Sequence, residues 1–420
     1  MDDRATRNQP PRASRPGRNM NRPLGYALLT AGAMAAGLLS GMAPAAAAVP
    51  ATTASPTAAP PATPTAVHPG LLVNATPVTL TPGDYAPDTR AWTIRYRSVS
   101  ETGAGMTVSG TVVVPKDSGP ATPIVAYAPG TLGLGDQCAT SRNITSPDNP
   151  EKSYVQKYNA LGYAVAISDY EGLGTPGPHT YNVGHSEGHA VLDAVRAAWS
   201  VPGANLSSAA RVAAVGYSQG GFAAGWAAQL APSYAPDINL TGVSSGAPPA
   251  DLAANIRYVD GGKYSWEALV ALYGQNAAHP ELNLDKYLTA KGRTTIAKLA
   301  TSCVLDWFND KTLQNHRLSE YTTTDILQLP DWKASINRSV MGTMAPQVPV
   351  LLYNSPKDDI VPFGPAVRLR DAWRSRGVHI TFYAPEIGMG DHGTTGLNMA
   401  GVATGWISAR LLGLPDTGSV

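Results

Sequence analysis

Five short, almost uninterrupted apolar runs limit what this chain can fold into: "PIVAYAPG" (123–130), "YAVAISDYEG" (163–172), "RVAAVGYS" (211–218), "PVLLYNS" (349–355) and "HITFYAP" (379–385). Runs of this length without polar alternation are strands buried on both faces. Helix-like segments separate or follow them: "SYVQKYNALG" (153–162), "SEGHAVLDAVRAAWS" (186–200), "GPAVRLRDAWRSRG" (364–377) and "TTGLNMAGVATGWISARLLG" (394–413). In the second, Ser186 is the expected N-cap, with Val191, Ala194, Val195 and Ala198 on one face. Strand, helix, strand in succession is the parallel crossover, so the sheet is mostly parallel and covered on both sides. Two runs before it, "WTIRYRSVS" (92–100) and "MTVSGTVVVP" (106–115), read as an antiparallel start. Residues 250–345 break the alternation with helix-like stretches only. The expected division is an α/β core over 71–249 and 346–420, with 250–345 inserted as a helical cap above the C-terminal strand ends, where ligands bind in such sheets.

The N-terminal residues are of another kind. Six arginines (Arg4, Arg7, Arg12, Arg15, Arg18, Arg22) precede the uncharged apolar run "LGYALLTAGAMAAGLLSGM" and the small residues of "APAAAAVP". This is the pattern of a cleaved export signal over residues 1–48. Without an adjacent Arg pair it fits the general secretory route, and its rival is an uncut anchor. Residues 49–70 alternate Pro, Ala and Thr with nothing to bury, which is linker composition. The formal charge is +1, but without residues 1–48 it is 25 basic against 28 acidic, or −3, so no basic face for nucleic acid is expected. Beyond the export signal, no run is long and apolar enough to span a bilayer. The two cysteines, Cys138 and Cys303, in an exported chain suggest one disulfide, with two free buried thiols as the alternative.

The strand at 211–218 ends in Gly216-Tyr217-Ser218-Gln219-Gly220, and an Ala-rich helix follows. A serine on a sharp strand-to-helix bend is exposed as a nucleophile, and glycines two positions either side remove side chains that would collide. The helix start aims free N–H groups at the site, so the N–H of Gln219 is one expected oxyanion donor. The second should come from the loop after the strand at 123–128, "APGTLGLGDQC", where the N–H of Thr131 is the candidate and Leu132 its rival.

A serine nucleophile needs a base, and the base needs a carboxylate. Of eight histidines, only His392 follows the last strand, in "GMGDHGTTG" just before the final helix. For the acid, "YNSPKDDIVPF" offers Asp358 and Asp359; Asp-x-x-Val-Pro favours Asp358, leaving Asp359 as a surface charge and Asp391 as a loop-ordering residue.

Taken together, "GDQCATS", "SDYEGLG", "GHSEGHAVLDAVRAA", "GYSQGG", "SYAPDINLTGVSSGAPPADL", "PKDDIVPF" and "GDHGTTG" resemble the secretory lipases, α/β hydrolases of fungi and actinobacteria that include the yeast lipase A type. The likeness runs over residues 75–413 and suggests an actinobacterial member. It implies an α/β-hydrolase fold with an inserted helical cap, Ser218, Asp358 and His392 as the triad, hydrolysis of lipid esters, and a Cys138–Cys303 bridge from core to cap. Some members carry an acidic residue at the oxyanion loop, where this chain has "PGTLGLG".

The expected protein is thus a secreted, monomeric serine ester hydrolase. It needs no cofactor and no metal, since the histidines are scattered and "GTLGLG" lacks the Lys-Ser/Thr of a phosphate loop. Competing readings are a short-chain esterase or peptidase on the same fold, and a non-catalytic surface binding protein.

Overall fold

The computed structural model describes residues 68–384 and 390–416. The expected export signal over 1–48, and the linker up to residue 67, lie outside the described residues. Among the described residues, nine strands form one sheet in the order β1-β2-β3-β5-β4-β6-β7-β8-β9. They are β1 (Leu72–Val78), β2 (Arg90–Val99), β3 (Gly105–Val114), β4 (Ile124–Ala128), β5 (Ala164–Ser168), β6 (Val212–Tyr217), β7 (Leu240–Gly246), β8 (Val350–Tyr353) and β9 (Ile380–Tyr383). The pairs β1–β2, β2–β3 and β3–β5 are antiparallel. From β5 to β9 every pairing is parallel.

The central strands divide their side chains by period two. Ile124 and Ala126 of β4 and Val212 and Ala214 of β6 enter one core layer with Phe222, Trp226 and Trp373. Val125, Tyr127, Ala213 and Val215 enter the opposite layer with Val155, Tyr158, Ile407 and Leu411. The helices on the first face are α3 (Gly184–Trp199), α4 (Gln219–Tyr234) and α11 (Phe363–Arg374). Those on the second are α2 (Lys152–Ala160) and α12 (His392–Leu411); a single turn, α1 (Thr140–Asn143), precedes them in the chain. Burying a side chain such as Phe222 contributes roughly 1.5–3 kcal/mol.

Two local expectations need correction. Ser186 is not the N-cap of α3: the helix starts at Gly184 with Val183 at the cap, and the Ser186 hydroxyl donates to Glu171 Oε2. A carboxylate partner inside the fold replaces the role the hydroxyl would have had at the helix end. α3 is buried on nearly all sides, between the sheet and α4. The pattern search also passes over β7, "LTGVSSG". This strand is small and polar because α4 lies close against it: Ser245 Oγ donates to the Gly221 carbonyl at 2.7 Å. Neighbours on both sides supply its ladder, so it needs no apolar run of its own.

Between β7 and β8 lie six helices: α5 (Leu252–Val259), α6 (Trp266–Ala278), α7 (Ala290–Leu299), α8 (Val304–Asn309), α9 (Leu318–Tyr321) and α10 (Pro330–Arg338). They share an apolar cluster that includes Trp266, Leu269, Trp307, Tyr321 and Trp332, and that reaches Leu134, Tyr181 and Ile360 in loops at the strand ends. Among the described residues, no helix is long and apolar enough to cross a membrane.

Candidate active site

Ser218 caps α4 at the end of β6 with φ 59° and ψ −123°. A non-glycine residue in this region is strained, and strain of this kind persists only where the surroundings enforce it. The glycines show how. A Cβ on Gly216 would lie 2.1 Å from the Gly220 carbonyl oxygen, and one on Gly220 would lie 2.0 Å from that of Ala128. The turn closes only because both side chains are absent.

His392 is the first residue of α12, and its Nδ1 lies 2.8 Å from Asp358 Oδ2. The other oxygen of Asp358 accepts from the N–H groups of Ile360, at 2.9 Å, and Val361, at 2.7 Å. The carboxylate is therefore buried but saturated. Burial pushes the imidazole pKa down, yet the hydrogen bond and charge of Asp358, with Glu267 and Asp359 beyond it, outweigh that and hold it above 6.5. Asp359 is exposed, as a surface charge should be, but its Oδ1 also accepts from His392 N–H at 3.0 Å. Asp391 caps α12 by accepting from Thr394 N–H at 2.8 Å.

Ser218 and His392 line one pocket of about 390 Å³, together with Gly130, Thr131, Tyr154, Tyr158, Tyr353, Ala403, and Trp266, Val304 and Phe308 of the inserted helices. Thr131 thus stands at the pocket wall, and Gln219 opens the helix behind the serine. The loop from Glu171 and the first turn of α3 hold both from behind. Tyr181 OH pairs with Thr131 Oγ1 at 2.8 Å. Gln219 Nε2 donates to Glu187 Oε1 at 2.8 Å and lies 3.2 Å from His179 Nε2, whose Nδ1 is 2.8 Å from the Glu171 carbonyl. Burial lowers the His179 pKa to about 4, so the ring is neutral. With Nδ1–H on the carbonyl, Nε2 accepts from Gln219.

Several residues at the site carry no sequence signal. Tyr217 donates to the His392 carbonyl at 2.6 Å and packs its ring 4.9 Å from the imidazole. Glu151 anchors the loop after β4, accepting from Tyr127 OH and, at 3.1 Å, from Gly130 N–H. Their partners lie 21 to 175 residues away in sequence, so no local pattern reveals them.

Cys138 and Cys303 form a disulfide, Cα–Cα 5.5 Å. Around it, Val304 N–H donates to the Leu132 carbonyl at 2.9 Å and Leu134 N–H to that of Ser302 at 3.2 Å. The inserted helices are therefore sewn to the loop that carries Thr131.

This sheet order, serine elbow and helical insertion define an α/β hydrolase. The structure of Candida antarctica lipase A in its closed state superposes with TM-score 0.74 at 23% identity, over 83% of this chain and 84% of that one. The rice cell wall degrading esterase LipA from Xanthomonas oryzae gives 0.67 at 21%, over 82% and 98%. The chain belongs to the secretory lipase family, whose profile matches residues 142–419. Among its relatives, the secreted triacylglycerol lipase LIP1 of Malassezia furfur is 30% identical over 59% of this chain and 53% of its own length. The secreted triacylglycerol lipase LIP4 of Malassezia globosa is 26% identical over 77% and 73%. Family and relatives make this a secreted lipase-type hydrolase.

Proposed function

We propose that this protein hydrolyses acylglycerols or related lipid esters through an acyl-enzyme on Ser218. The observation that carries the reading is the His392–Asp358 pair, whose imidazole lines one largely apolar pocket with Ser218. His392 Nε2 takes the Ser218 hydroxyl proton, and Oγ bonds to the ester carbonyl carbon. The carbonyl electrons move to oxygen, where the N–H groups of Thr131 and Gln219 stabilise the charge. The tetrahedral intermediate collapses, the C–O bond to the alcohol breaks, and His392 returns its proton to the departing oxygen. Water, deprotonated by the same imidazole, then attacks the acyl-enzyme and releases the carboxylic acid and free Ser218.

Residues 250–345 act as a cap over the pocket in this reading, and the rim points to where lipid enters. Leu305 and Phe308 on α8 and Leu397 on α12 line the pocket and stay substantially exposed. Exposed apolar side chains at a pocket mouth suit a lipid–water interface. A monomer exported by the general secretory route, with its signal over 1–48, completes the proposal. The room beside Tyr154, Tyr158 and Ala403 favours long acyl chains over the short-chain alternative.

The test is turnover of para-nitrophenyl esters across chain lengths by the protein and by Ser218→Ala. Expected are a preference for longer chains and a loss of at least about a thousandfold in the variant. Parent-like activity in Ser218→Ala rejects the assignment.

A further inference from the structure

Two glutamates line the pocket, and they differ. Glu151 has both oxygens engaged, by Tyr127 and by Gly130 N–H. Glu267, in the first turn of α6, is 4% exposed. Its Oε1 accepts from Asn255 Nδ2 at 2.9 Å, while its Oε2 is buried without a hydrogen-bond partner. A buried carboxyl with a bare oxygen is costly, and such a group calls for an explanation in its surroundings.

The surroundings say what could meet the bare oxygen. Burial pushes the Glu267 pKa up to about 7, against the pull of His392 and of the Asn255 amide, while Asp358 adds to the rise. Near neutral pH both protonation states are present. A hydroxyl can pair with either: it donates to the carboxylate and accepts from the acid. An ammonium pairs only with the carboxylate, and an alkyl chain with neither. The half of the substrate follows from chemistry. Glu267 and His392 line the same pocket, and His392 is the group that hands a proton to the leaving alcohol. In a lipid ester the acyl half is hydrocarbon, and a free hydroxyl sits on the alcohol half. A hydroxyl at Glu267 therefore belongs to the alcohol half of the substrate.

We infer that Glu267 forms an alcohol-side subsite that favours esters of a polyol with a free hydroxyl beside the scissile ester, partial acylglycerols among them, over alkanol esters of the same acid. This rests on the ester-hydrolase reading above.

The experiment compares kcat/KM for a monoacylglycerol, the propyl ester and the choline ester of one fatty acid, in the full mature protein, in Glu267→Leu and in Glu267→Gln. The protein should favour the monoacylglycerol over the propyl ester by about tenfold or more, since a site built around a hydroxyl discriminates against its absence. Glu267→Leu should bring that ratio close to one. Glu267→Gln, which keeps a donor and an acceptor, should retain most of it. Where the leucine variant does not fold, as judged by its thermal melt, the parent ratio and the glutamine variant decide. A parent ratio near one, a ratio untouched in a folded Glu267→Leu, or a preference for the choline ester overturns the inference. Ester turnover without hydroxyl preference overturns it alone, whereas no turnover of any ester overturns the parent reading with it.

Discussion

His392 Nδ1 lies 2.8 Å from Asp358 Oδ2, across 34 residues of sequence. Asp359, one residue on, holds the same histidine only by its backbone N–H. The two carboxylates therefore separate cleanly in a mutational test. Asp358→Asn should lower kcat on the order of ten-thousand-fold, because the amide no longer fixes the tautomer. Asp359→Asn should cost less than about tenfold, since it loosens a helix start and leaves the imidazole partnered. Its pH profile adds a check. The raised His392 pKa puts the acid limb of kcat/KM above about 6.5, as the base must be neutral to work.

The elbow admits no side chain at Gly220. Gly220→Ala would drive a Cβ to within 2.0 Å of the Ala128 carbonyl oxygen, which is backbone and cannot step aside. A destabilisation of a few kcal/mol, read as a fall in thermal midpoint, should accompany loss of most ester turnover. A variant with parent-like melting and rate contradicts the described turn.

Tyr181 serves the loop of Thr131 through one hydroxyl contact. On the proposed mechanism, Tyr181→Phe should lower kcat by about tenfold with little change in KM, because a displaced oxyanion donor weakens the transition state more than the ground state. Equal loss in both parameters on every ester would point to general disorder of the pocket instead.

The Cys138–Cys303 bridge closes a separation of 165 residues. On the chain-entropy account a loop of that size is worth about 5 kcal/mol, an upper figure. A Cys138→Ser, Cys303→Ser double variant should melt at markedly lower temperature. It should also lose activity before it unfolds, because the same bridge tethers the Thr131 loop to the inserted helices. Activity and melting that fall together count against that second part.

Two buried glutamates make stability depend on pH. Burial raises Glu187 from 4.5 to about 8, against hydrogen bonds from Gln219 and Asn182, and raises Glu267 to about 7. The folded state binds these protons more tightly than the unfolded chain. Their stabilisation is complete below pH 4.5 and is lost as pH rises through the folded values. Between about pH 5 and about pH 9 the melting temperature should fall from this source, and Glu187→Gln should flatten the fall.

Reading the chain alone reached far into the fold because its main signals are local. The runs that became β4, β5, β6, β8 and β9 were visible because burial on two faces demands unbroken apolar stretches. The bend at Ser218 was visible because only glycine fits beside it. His392 stood out by elimination, being the histidine between the last strand and the last helix. What stayed hidden was set by packing. β7 is small and polar because α4 lies against it, and the hydroxyl of Ser186 found Glu171 rather than a helix end.

The amino-acid order thus determined the sheet, the insertion and the residue types available for acyl transfer, since each follows from periodicity or from a backbone angle. Tertiary structure alone decided that Tyr181, Glu187 and His179 brace the groups around the serine, and that Asp359 holds the His392 backbone. It also left Glu267 with an unpaired oxygen at the pocket. These contacts join residues far apart in the chain, and their strength comes from exclusion of water, a property of the folded interior that no local pattern encodes.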